Sequence, residues 1–116
     1  MLLRTRVSIG RIIGTIMFSH IVIFWAKADK PKAADELLAG MDHFLKRIPG
    51  ALQFHAGKMV PSERAVVDRS YQVALNITFP DKQTQDVYQL HPLHLEFVEK
   101  VLKPNCARVL VYDFEG

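Results

Sequence analysis

Between Tyr71 and Phe79 the chain reads YQVALNITF, with apolar side chains at every second position. Tyr71, Val73, Leu75, Ile77 and Phe79 share one side, and Gln72, Ala74, Asn76 and Thr78 share the other. That is the period of a strand with one buried face. Such a strand needs partner strands and a layer over its apolar side. Residues 19–26, SHIVIFWA, predict a partner. There His20, Val22, Phe24 and Ala26 alternate with Ile21, Ile23 and Trp25, and the β-branched and aromatic content is that of a strand.

The segments between these strands have helical spacing. A helix is predicted from Lys30-Pro31 to about Arg47, with Leu37, Leu38, Met41, Phe44, Leu45 and Ile48 on one stripe and Pro49-Gly50 ending it. A further strand is predicted over roughly Leu52–Val60. Pro80-Asp81 opens a short helix to about Leu90. His91-Pro92 ends it, because the residue before a proline is pushed out of the helical region. Pro92 then suits the first turn of a second helix, predicted to run to about Leu102 and stop at Lys103-Pro104. The last predicted strand is ARVLVYDFE, residues 107–115. The order β-α-β-β-α(α)-β is that of an α+β, ferredoxin-like fold with helices on one face of a four-stranded antiparallel sheet. The first and last strands are apolar on both faces, an exposure rare in a monomer. A homodimer joined through the sheet face is therefore expected.

Charge narrows the partners. Of 15 Lys and Arg residues, Arg4, Arg6 and Arg11 lie in the first 16 residues, which carry no acid. The remaining 100 residues balance 12 bases with 12 acids, so the domain has no basic field to draw nucleic acid. Residues 1–16 are expected to be an extension or a start assigned too early, with the domain over 17–116. A secretory signal fits the early arginines loosely, but Ser19 and His20 interrupt the apolar run. No stretch reaches the ~20 apolar residues of a membrane helix. The single cysteine, Cys106, excludes an internal disulfide and fits a reducing, cytoplasmic setting.

HPLHLEFVEKVLKP, residues 91–104, carries the chemistry-bearing pattern. His94, Phe97, Val98 and Val101 share a helix face, which points His94 inward if that face packs on the sheet. His20 lies on one side of the first strand, with Val22 and Phe24 beside it. Val22, Phe24, Phe97 and Val98 are the expected ligand-contacting wall. An imidazole there is matched to removing a proton next to a carbonyl, with Tyr88 near enough to hydrogen-bond His94 or a developing enolate oxygen. The same residues also suit a structural core in which the histidines bond each other or the backbone. His91 is expected to cap its helix with the ring facing solvent, and His43 and His55 to lie on the surface. H-x-x-H without paired cysteine or carboxylate support predicts no metal.

Taken together in this order, HIVIFWAK, IPGALQFHAGK, YQVALNITF, HPLHLEFVEKVLKP and VLVYDFE resemble the stress-responsive A/B barrel (Dabb) family over about residues 17–115. The resemblance implies a dimeric α+β barrel with a cavity between sheet and helices in each subunit. Relatives include polyketide cyclases of the olivetolic acid type, which work without metal or organic cofactor. Their functional positions correspond here to His20, Tyr88 and His94, with His94 as the base. The expectation is a pocket for a small carbonyl or phenolic compound, with cofactor-independent cyclase or lyase-type chemistry. The alternative is a non-catalytic dimeric stress-related binding or structural protein. Phe24 and Trp25 leave little room for a long alkyl chain.

Overall fold

A computed structural model describes residues 16–116; of the extension expected over residues 1–16, only Ile16 is among the described residues. The elements are β1 (Phe18–Ala26), α1 (Ala33–His43), a 3-10 turn (Leu45–Arg47), β2 (Gln53–Lys58), β3 (Val73–Phe79), α2 (Lys82–Leu90), α3 (Pro92–Phe97), a π-helical segment (Val98–Leu102), α4 (Lys103–Asn105) and β4 (Cys106–Glu115). The strands form one antiparallel sheet in the order β2-β3-β1-β4. This is the ferredoxin-like α+β arrangement that the element order predicts.

The register explains the core. Val22 faces Leu75 and Val111 across the two neighbouring strands, and His20 faces Ile77 and Asp113. Phe18, Val22, Phe24, Val73, Leu75, Ile77 and Phe79 are buried under the helices. Leu37, Gly40 and Met41, at i, i+3 and i+4 of α1, pack on them. Gly40 is the point of closest approach: a Cβ there would sit 2.5 Å from Val101 Cγ1. Gly50 ends this layer in the left-handed region at φ 114°, a conformation that side-chain-bearing residues resist.

Two caps set the angle of the helices over the site. Asp81 accepts from the backbone N–H of Thr84 (2.8 Å) and from its hydroxyl (2.6 Å), starting α2. These bonds hold the Asp81 carboxyl below the usual carboxylate range. His91 then ends α2 and starts α3, its Nδ1 accepting from Leu93 N–H at 3.1 Å with Pro92 in the first turn. The ring of His91 is half-buried rather than free in solvent.

The expected stop at Lys103-Pro104 does not occur. The helix widens to π geometry over Val98–Leu102, with Lys103 N–H bonding Val98 O, and continues through Pro104 to Asn105. Pro104 has no N–H and its ring crowds the carbonyl four residues back, so a wider turn carries the chain past it. Buried Asn105 then ties the two layers: its Nδ2 donates to Val101 O at 3.0 Å, and its own carbonyl accepts from Lys27 N–H at 2.9 Å. The first predicted helix is also shorter than expected, starting at Ala33 because residues 30–32 form a turn. No helix among the described residues is long and apolar enough to cross a membrane.

Gly40→Ala tests the α1–Val101 contact. Alanine favours a helix by about 1 kcal/mol over glycine, whereas overpacking costs about 1–3 kcal/mol, and a β-branched valine cannot turn aside. Net destabilisation of ~1 kcal/mol is expected in chemical denaturation. The loss should vanish in a Val101→Ala background, and stabilisation of the single variant would contradict the contact.

Candidate functional site

β1 carries His20 on its helix-facing side, between Phe18 and Val22, because side chains alternate along the strand. His20 is 7% exposed, and its imidazole needs a polar partner there. Its cross-strand neighbour supplies one: His20 Nδ1 lies 2.6 Å from Asp113 Oδ1. The paired carboxylate is on edge strand β4, where it is partly open to solvent. In the tautomer that donates Nδ1–H to Asp113, Nε2 carries the ring's lone pair.

α3 brings His94 over the same part of the sheet. Burial and the nearby His20 both push its pKa below the ordinary 6.5, so the ring is neutral at neutral pH. No hydrogen bond joins its ring nitrogens to another protein group among the described residues. The edge of His94 meets Tyr88 with ring centroids 6.1 Å apart.

Tyr88 departs from its expected geometry. Its hydroxyl donates to Leu45 O at 2.8 Å, away from His94, while its ring packs edge-on against Phe79. A buried phenol needs an acceptor, and the 3-10 turn after α1 offers the Leu45 carbonyl, whose second lone pair remains after it accepts from Ile48 N–H at 3.2 Å. Burial raises its pKa beyond reach of ordinary pH, so the phenol keeps its proton and goes on donating it to that carbonyl.

These side chains line a cavity of about 170 Å³ between sheet and helices. All seven predicted residues border it: His20, Val22 and Phe24 from β1, Tyr88 from α2, His94 and Phe97 from α3, and Val98 from the π segment. Leu75, Ile77, Val109 and Val111 complete the sheet wall, and Gln89 joins from α2. Trp25 lies on the other side of the sheet, so of the two bulky residues only Phe24 narrows the cavity. An apolar cavity of about 150 Å³ admits a benzene ring, which sets the scale of the ligand. A wider groove of about 320 Å³ by α1 and β2 has one imidazole, the exposed His55, and lacks the paired histidines. Among the described residues no three His, Cys, Asp or Glu side chains converge as a metal site.

Asp113 and Gln89 are missing from the sequence reading. The signal for Asp113 is one acid on the apolar alternation Val109, Val111, Asp113, which mirrors Phe24, Val22, His20 once the strands pair antiparallel. Gln89 carries no signal beyond its place one residue after Tyr88.

A family model described as the stress responsive A/B barrel domain matches residues 18–116. A stress-response A/B barrel domain-containing protein of Arabidopsis thaliana is 28% identical over 97 residues, 84% of each chain. Among solved structures, a hydroxynitrile lyase from Passiflora edulis superposes with a TM-score of 0.71 at 22% identity, covering 89% of this chain and 95% of that one. A dimeric ferredoxin-like protein from Jannaschia sp. gives 0.67 at 24% identity, covering 84% and 97%. At these identities the two structures establish the fold alone.

The depressed His94 pKa predicts a pH effect. Below about 6.5 the unfolded chain binds a proton that folded His94 refuses, so stability falls as pH drops through that value. His94→Gln should flatten the fall in thermal midpoint between neutral and mildly acidic pH. An unchanged slope would mean that the ring titrates freely in the folded protein.

Proposed function

The chain belongs to the stress-responsive A/B barrel domain family, and we propose that it binds a compact carbonyl compound in the His20–His94 cavity and moves a proton there without a cofactor. The observation that carries this reading is two imidazoles in one apolar cavity, one held by a carboxylate and the other without a hydrogen-bond partner among the described residues. His20 is backed by Asp113 and offers a lone pair; His94 is neutral and holds an N–H that no protein acceptor takes among the described residues.

Such a pair divides the work of enolisation. Nε2 of His20 takes the proton from the carbon next to the carbonyl. The C–H electron pair becomes the enolate double bond, and the carbonyl π pair moves to oxygen. An N–H of His94 donates to that oxygen, where charge develops in surroundings of low polarity. Asp113 supports the imidazolium that forms on His20. In this assignment His20 takes the base role expected of His94, and Tyr88 acts by packing against the His94 ring. Val22, Phe24, Phe97 and Val98 shape the site for a single ring or a short branched chain. That a hydroxynitrile lyase shares the fold supports lyase-type chemistry as one outcome.

The protein works in this reading as a homodimer, as the Jannaschia relative is described. Ile21 and Ile23 on β1 and Leu110, Tyr112 and Phe114 on β4 share the sheet face away from the helices, with Tyr112 and Phe114 more than half exposed. That apolar face is the one a second copy would cover. The free thiol of Cys106, pushed up in pKa by burial, accords with a cytoplasmic setting.

Proton transfer is measured by NMR as hydrogen–deuterium exchange at the methyl group of acetophenone in D2O. The wild type should accelerate it. His20→Ala should lose about 10²–10⁴-fold, and Asp113→Asn at least about tenfold. Exchange no faster than in buffer, together with no thermal stabilisation by small aldehydes, ketones or hydroxynitriles, would leave the non-catalytic reading standing. For the dimer, light scattering should give the mass of two chains, falling to one in a Tyr112→Lys, Phe114→Glu double variant.

A further inference from the structure

We infer that Gln89 is a specificity-determining residue of the cavity, reading a second hydrogen-bond acceptor on the ligand beyond its carbonyl group. The inference rests on the binding reading above and narrows its substrate class. Gln85, Tyr88 and Gln89 stand at i, i+3 and i+4 of α2 and so share its inner face. Tyr88 and Gln85 are buried, Gln85 to 4% exposure, whereas Gln89 is exposed and lines the cavity. It stands at the rim.

Nε2 of Gln85 donates to Oε1 of Gln89. A buried amide needs such a partner, which makes Gln85 a fixed anchor rather than a surface side chain. The bond engages the carbonyl oxygen of Gln89 and leaves its NH2 group as the free end. It also removes much of the rotamer freedom that an exposed glutamine would lose on binding a ligand. The result is a preorganised donor at the mouth of an otherwise apolar cavity.

The other polar groups of the cavity have different tasks. The Tyr88 proton is held by Leu45 O, and His20 Nδ1 is held by Asp113. In the neutral site this leaves two donors for a ligand, His94 and Gln89. One carbonyl oxygen uses His94. A ligand that also satisfies Gln89 carries a second acceptor, such as an ether, carbonyl or nitrile group, besides the reacting carbonyl. A site with a donor in place discriminates against the analogue that lacks the acceptor. The inferred substrate class is a compact aryl or branched carbonyl compound with a second acceptor, rather than a plain hydrocarbon ketone.

Acetophenone and 3-methoxyacetophenone differ by one acceptor and are compared by calorimetric titration against the wild type, Gln89→Leu, Gln85→Leu and His94→Ala. The wild type should prefer the methoxy compound by about tenfold. That preference should disappear in Gln89→Leu, an exposed substitution that the fold tolerates, and shrink in Gln85→Leu, which frees the amide without removing it. Wild-type binding of both ketones, weakened in His94→Ala but with an unchanged ratio in Gln89→Leu, would overturn the role of Gln89 and leave the site standing. Failure of both ketones to bind the wild type would overturn the binding reading and this inference with it.

Discussion

Strand β1 has no free edge: β3 pairs with it on one side and β4 on the other, along nearly its whole length. Its backbone polar groups are therefore engaged in ladders, and its side chains have only two directions to take. One direction places Phe18, His20, Val22 and Phe24 under the helices; the other places Ile21, Ile23 and Trp25 on the opposite face. A slip of one residue would exchange the two sets. The position of His20, the shape of the cavity floor and the apolar outer face all follow from this one register.

The same constraint explains what could be read from the residues and what could not. Period-two alternation made β1 and β3 legible, as did the inward face of His94, Phe97, Val98 and Val101. The cap at His91 and the break before Pro92 were equally local and equally visible. Pro104 was misread because a proline forbids one hydrogen bond but does not say how the chain will re-route. A π turn is one answer, and only the packing of Val101 on Gly40 and the Asn105 bonds make it worthwhile. The Tyr88 hydroxyl was misread for a related reason. Its acceptor, Leu45 O, is 43 residues away, and helix-end carbonyls announce themselves only in three dimensions.

Size and polarity together define what the cavity suits. Its walls are mostly aliphatic and aromatic, and of its few polar groups His20 and Tyr88 are held by Asp113 and Leu45 O. An interior of this kind strengthens the few electrostatic interactions it contains, since little water competes with them. Phe24 occupies depth that a chain of several methylenes would need.

Asp113 reaches His20 from 93 residues further along the chain and from an edge strand. Edge strands are the first parts of a sheet to detach in local opening, and contacts of such long sequence separation are slow to form. Were β4 to lift, His20 would lose the carboxylate that holds its Nδ1. In the proposed reaction, whatever clamps the sheet edge, a second subunit included, would also govern how much of the population is poised to react, with no change in the cavity itself.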